Sequence, residues 1–114
     1  EMCIRDSLNY YLFNGNVDLR KGIFRLCESI REEMSLDPSD ASNVYMFMSR
    51  NRKVVKILHY ERGFYVLYEK RPVMGKFKKP VFDEVSRCYR IQWSDMAYLT
   101  ESIVVDKMYV SPKD

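Results

Sequence analysis

Residues 43–71 read N-V-Y-M-F-M-S-R-N-R-K-V-V-K-I-L-H-Y-E-R-G-F-Y-V-L-Y-E-K-R. Three runs rich in β-branched and aromatic residues, at 43–48, 54–60 and 64–71, stand out from polar surroundings. Such runs favour strands. The first two are joined by the basic segment Ser49-Arg50-Asn51-Arg52-Lys53, the last two by the tight turn Glu61-Arg62-Gly63. Connections this short join only antiparallel neighbours, so the stretch predicts a three-stranded meander.

The flanks supply what the meander packs on. Leu8-Asn9-Tyr10-Tyr11-Leu12-Phe13 followed by Asn14-Gly15-Asn16 reads as a strand and a turn, extending the sheet. Asp18 is a candidate N-cap for a helix over 18–34, with Leu19, Ile23, Leu26, Cys27, Ile30 and Met34 forming one apolar stripe. A loop follows at 37–40, D-P-S-D. Beyond Pro72 the chain is expected to be irregular and basic as far as Pro80. Ser94 is a candidate N-cap for a short helix over 95–103, with Met96, Leu99 and Ile103 on one side. Residues 104–110 suit a small edge strand, and 111–114 form a tail.

The expected fold is therefore α+β: a small antiparallel β-meander of three or four strands packed on one amphipathic helix, with a short C-terminal helix. A chain of 114 residues suffices for one core, here placed at 8–110. The first seven residues, E-M-C-I-R-D-S, read as a translated sequencing adapter and are set aside, so the native N-terminus is expected either near Leu8 or missing from the given sequence. Cys3, Cys27 and Cys88 form no C-x-x-C pair and suggest reduced thiols. No apolar run approaches the roughly 18–20 residues of a membrane span. A cytoplasmic location is the expectation.

Charge is the strongest functional signal. Residues 49–80 carry ten Lys or Arg against Glu61 and Glu69, a net +8, while the rest carries nine basic and fourteen acidic residues, a net −5. The overall +3 hides this polarity. A dense basic segment with aromatics between the charges suits a polyanion, most often nucleic acid. Alternate strand residues share a face, so Lys70 lies with Tyr68 and Arg71 with Tyr65, an arrangement suited to stacking on unpaired bases.

The predicted helix 18–34 is charged against its own dipole. Arg20 and Lys21 lie near its start, and Glu28, Glu32 and Glu33 towards its end, although each such placement costs about 0.3–1 kcal/mol. One reading is an anion held beside Arg20 and Lys21, with Gly22 permitting close approach. The other is that Arg20 pairs with an acid elsewhere and Gly22 packs tightly against a strand.

Catalysis has little to build on. The single histidine, His59, lies within an apolar strand. Asp83 and Glu84 are adjacent, and Asp18 is occupied as a cap, so no metal-binding carboxylate set stands out. The sequence has neither a Gly-rich phosphate loop nor a nucleophile elbow. The expectation is a binding protein and not an enzyme, with no cofactor, no metal and no small-molecule ligand.

Four segments recur together in a known family: D-L-R-K-G at 18–22, S-R-N-R-K-V-V-K-I-L-H-Y at 49–60, G-F-Y-V-L-Y-E-K-R at 63–71 and G-K-F-K-K-P at 75–80. In this order they resemble the TnpB accessory proteins of the insertion sequence 66 family, over about residues 8–103. Leu19 stands where the family usually has Met, and His59 or Tyr60 where it often has Trp. The basic segment is slightly shortened, and after Val81 the likeness is carried mainly by a Trp93-led helix.

The resemblance implies a transposition accessory protein acting with a separate transposase that cuts the strands. The basic residues Arg20, Lys21, Arg50, Arg52, Lys53, Lys56, Lys70, Arg71, Lys76 and Lys78 are the candidates for phosphate contact. The alternative is a protein-interaction module, whose basic face docks an acidic patch on the transposase or another accessory protein without touching DNA.

Overall fold

The sheet grows from the segment that the sequence singles out. In the computed structural model, which describes residues 8–13, 19–20, 22–80, 88–101 and 103–104, β2 (Asn43–Met48), β3 (Val55–Glu61) and β4 (Phe64–Lys70) form an antiparallel meander. Arg62 and Gly63 close the β3–β4 hairpin with φ of 47° and 88°. Two successive positive φ values are the type I′ pattern, whose twist matches that of the flanking strands. The hairpin brings Tyr60 opposite Tyr65, Leu58 opposite Leu67 and Lys56 opposite Glu69.

The sheet is larger than a meander and is not purely antiparallel. β1 (Asn9–Phe13) pairs parallel with β2 on one side and antiparallel with β6 (Cys88–Ile91) on the other. The order is β4-β3-β2-β1-β6, five strands in place of the expected three or four. The parallel pair follows from the chain order, because a helix lies between β1 and β2 and such a crossover returns the chain in the same direction. The tetrapeptide Cys-Tyr-Arg-Ile of β6 carries too short a pattern to announce a strand by itself.

α1 spans Ile23–Ser29 and continues as a π-helical stretch over Ile30–Met34, which ends at Ser35 in the left-handed conformation (φ 56°). It begins later than expected. Gly22 is its N-cap and offers no side-chain hydrogen bond. The predicted cap Asp18 lies outside the described residues, as does Lys21. The apolar stripe nevertheless folds as one surface: Leu19, Leu26, Cys27 and Ile30 are buried, with Ile23 and Met34 packed against the same cluster. Periodicity located the buried face although the α-helix covers only part of the predicted span.

α2 (Trp93–Glu101), by contrast, starts earlier than predicted. The Gln92 carbonyl accepts from the backbone N–H groups of Asp95 (2.9 Å) and Met96 (3.1 Å). Gln92 N–H donates in return to Asp95 Oδ2 at 3.0 Å. Gln92, not Ser94, is thus the capping position, and the reciprocal bond satisfies a donor that the first turn would leave open. A two-stranded ribbon joins β5 (Lys76–Phe77) to β7 (Ile103–Val104), correcting both the irregular reading of 76–77 and the placement of Ile103 on the helix. Residues 105–110 of the predicted edge strand lie outside the described residues.

Strand alternation sorts the core into two faces. Tyr11, Phe13, Tyr45, Phe47, Leu58 and Leu67 pack with α1. Tyr10, Leu12, Val44, Met46, Val55 and Ile57 pack with Met96 and Leu99 of α2 and with Phe77. The architecture is a sheet covered on both faces, which explains why β2 is buried along nearly its whole length and reads as continuously apolar.

The α1–β2 connection is fixed by local polar bonds. Asp37 Oδ1 accepts from Ser39 N (3.0 Å) and Ser39 Oγ (2.7 Å), and Asp40 Oδ1 from Ser42 N (2.9 Å) and Ser42 Oγ (2.7 Å). These are two Asx turns in succession. Beneath them runs a chain of donors, from Asn9 Nδ2 to Asn43 Oδ1 (3.1 Å), Asn43 Nδ2 to Tyr45 Oη (3.0 Å) and Tyr45 Oη to the Asp37 carbonyl (3.0 Å). Burial pushes the Tyr45 phenol up to about 12, against the Asn43 hydrogen bond, which lowers it.

Candidate nucleic-acid interface

The loop between β2 and β3 is organised by two small polar side chains. Ser49 Oγ donates to Asn51 Oδ1 at 2.8 Å and accepts from the N–H groups of Lys53 (3.1 Å) and Val54 (3.0 Å). Asn51 Oδ1 also accepts from Lys53 N–H at 3.0 Å. Ser49 N–H donates to the Val54 carbonyl (2.9 Å), and Arg52 N–H to the Ser49 carbonyl (2.9 Å). Arg52 occupies the left-handed region at φ 61°. The segment read as a basic tip is therefore a hydrogen-bonded loop, whose backbone sets the directions in which its side chains leave.

Those directions differ. Arg50 lines an open concavity of about 690 Å³ together with Leu19, Arg20, Ser49, Asn51, Val54, Lys56 and Arg71. Arg52 faces the opposite side of the loop, where Nη1 donates to the Phe77 carbonyl at 3.3 Å. The Phe77 N–H donates back to the Arg52 carbonyl at 2.8 Å, tying the loop to β5. Lys53 is exposed.

Two of the lining residues, Lys56 and Arg71, belong to a cross-strand cluster. Lys56 Nζ donates to the Leu19 carbonyl and stands 3.8 Å from Glu69 Oε1, with only 12% of its side chain exposed. Glu69 also pairs with Arg71 Nε. The Arg71 hydrogen bond, aided by the charges of Arg71 and Lys56 and opposed by burial, holds the Glu69 carboxyl below its ordinary value. Glu69 is thus ionised at neutral pH. Four of the residues that line the concavity, Arg20, Arg50, Lys56 and Arg71, are cations.

The structure divides the ten candidate residues. Arg20, Arg50, Lys56 and Arg71 converge on the concavity although they come from four places in the chain. Lys21 lies outside the described residues. Lys70 faces away, donating from Nζ to the Thr100 carbonyl at 3.2 Å near the C-terminal end of α2, where a cation complements the helix dipole. Lys78 Nζ donates to Tyr98 Oη at 2.9 Å and lies 5.4 Å from that ring's centroid. Lys76 is half-buried on β5. The ten residues therefore do not share one face.

The region before α1 also departs from expectation. Arg20 sits in a turn ahead of the helix and not in its first turn. A Cβ at Gly22 would meet nothing within 4 Å, so tight packing against a strand is not the reason for this glycine. Sequence reasoning missed Ser49 and Asn51, which frame the loop, and Leu19 and Val54, the apolar part of the concavity. The Ser-x-Asn spacing ahead of two basic residues was the available signal.

His59 has two polar neighbours. His59 Nε2 lies 3.0 Å from the Ala41 carbonyl and Nδ1 3.3 Å from Glu61 Oε2. The carbonyl can only accept, so Nε2 carries the proton in this bond. Cys27 is unbridged, and burial pushes its thiol up, away from the reactive thiolate. No group of three His, Cys, Asp or Glu among the described residues is placed to hold a metal ion. No described helix is long and apolar enough to cross a membrane.

Fold and surface together define a small α+β protein with a cationic concavity at one end of its sheet. The model of the IS66 Orf2-like protein family matches residues 8–109, and the chain belongs to that family. Membership makes it an accessory protein of insertion-sequence transposition. No curated protein and no solved structure matches the chain.

Proposed function

We propose that the protein binds DNA through the face carrying the concavity, works beside a separate transposase and performs no catalysis itself. One observation carries the reading: Arg20, Arg50, Lys56 and Arg71 meet on one concave surface, next to exposed Lys53. Cations that serve only solubility have no reason to be gathered from separate elements, and a concave cationic wall focuses field on a polyanion. Half-buried Val54 gives the same wall apolar surface for sugar or base contact.

The test is fluorescence anisotropy of labelled duplex and single-stranded DNA across a salt series. The expected result is micromolar or tighter binding with a steep inverse dependence on salt. No binding at an ionic strength of about 0.15 M would refute the proposal.

A second reading, docking onto the transposase, is favoured by exposed aromatics. Phe24 and Phe64 are 75% and 72% exposed, and aromatic residues with Arg are enriched where proteins meet. Co-purification with the transposase, lost on substituting Phe24 and Phe64 by Ser and insensitive to nuclease, is the result that selects it.

A further inference from the structure

The chain from the end of β4 to the first residue of β5 reads Arg71-Pro72-Val73-Met74-Gly75-Lys76. Its two central side chains are apolar and project into solvent: Val73 is 103% exposed and Met74 66%. Neither feeds the two core clusters. A short loop wholly free of structural duty would ordinarily be polar. This one is also held firmly at both ends. On one side β4 pairs through Lys70 with Val55 of β3. On the other, Phe77 is buried to 1% and bonded through its N–H to Arg52. Gly75 makes the return at φ 79°, a conformation that suits glycine.

Cations flank this apolar tip. Arg71, immediately before Pro72, has 63% of its side chain exposed, and Lys76 follows Gly75 directly. The loop bearing Arg50 and Lys53 is tied to the same strand through Arg52 and Phe77. An apolar point between cations is the chemistry of proteins that wedge a side chain between stacked base pairs while neighbouring cations hold the phosphates.

We propose that Val73 and Met74 insert between base pairs of duplex DNA from the minor groove and kink it, with Arg50, Lys53 and Arg71 on the flanking phosphates. The inference rests on the DNA-binding reading and adds to it a deformation. Insertions of this kind bend the duplex by about 20–90°. Pyrimidine–purine steps, TA above all, unstack most readily and form the preferred sites.

Ligase-catalysed circularisation of duplexes shorter than the persistence length of about 150 base pairs measures the bend. The wild-type chain is expected to accelerate ring closure. The double variant V73S/M74S is expected to bind with the same salt slope but to lose the acceleration, while M74L keeps it. Both side chains are exposed, so an unchanged melting temperature shows that V73S/M74S folds. Wild-type binding with no acceleration, or equal acceleration by V73S/M74S, overturns the wedge and leaves the DNA-binding reading standing. Absence of any DNA binding overturns both, and tight partitioning of the tip into phosphatidylserine vesicles would then assign it to a membrane surface.

Discussion

Replacing Arg20, Arg50 and Arg71 together by Gln tests whether the concavity is the DNA surface. These three line the open wall, and Lys53 is exposed in the loop beside it. Lys56 is counted out because it is nearly buried against the Leu19 carbonyl and Glu69. Four phosphate contacts give a log–log salt slope of about −3.6, at about 0.9 per contact on duplex DNA. Between about 50 and 200 mM salt, that slope costs the wild-type chain roughly 150-fold in affinity. The triple variant keeps one contact, a slope of about −0.9, and loses only about fourfold over the same range. Anisotropy titrations at several salt concentrations read this directly. Two single variants, R52Q and K70Q, act as controls that a general charge effect would not spare. Each removes a side-chain bond to a carbonyl and is expected to cost about 1 kcal/mol of stability with less effect on the slope than any variant of the wall. A triple variant with an unchanged slope, or R52Q and K70Q flattening it as much as the wall residues do, would refute the assignment.

The remaining predictions concern the scaffold. Arg62 sits at φ 47°, so R62N should raise stability by about 0.5–1 kcal/mol in chemical denaturation, whereas G63A, at φ 88°, should lower it by about 1–2 kcal/mol. Leu26 is fully buried under α1, and L26A should cost about 2–5 kcal/mol. The Tyr45 phenol has its folded value raised from 10.0 to about 12, so its neutral form is favoured by folding. That stability is complete below pH 10 and is lost as the pH rises towards about 12, roughly 3 kcal/mol for two units. The pH-dependent difference in stability between wild type and Y45F should show this loss, and parallel curves would contradict it.

How far the fold was legible depended on element length. The meander carried three runs of strand-forming residues with turn chemistry between them, and all three strands formed where the pattern lay. The stripe from Leu19 to Met34 gave the buried face of α1 but not its start, because Leu19 packs into the core from a turn and keeps the period without being helical. β5, β6 and β7 contain two, four and two residues. Segments that short have no usable period, and their pairing is decided by what lies beside them in space. The parallel arrangement of β1 and β2 was implicit in the strand–helix–strand order.

The basic segment illustrates a different limit. Charge density along the chain counts cations without regard to what each can reach. Arg52, Lys56 and Lys70 lie within the densest stretch, yet each sends a donor to a backbone carbonyl: that of Phe77, Leu19 or Thr100. They join the β2–β3 loop to β5, the turn before α1 to β3, and the end of α2 to β4. A long cationic side chain is well suited to such work, since its methylenes pack while its charged end reaches an open acceptor. The same residues that make the segment look like a polyanion-binding strip therefore hold three elements in place, and doing so brings Arg20 and Arg71 beside Arg50. Lys56 is the hinge of this arrangement: by binding the Leu19 carbonyl it sets the position of Arg20, and by pairing with Glu69 it shares that carboxylate with Arg71. The positive surface is thus a product of tertiary structure, built by cations that need not themselves touch the ligand.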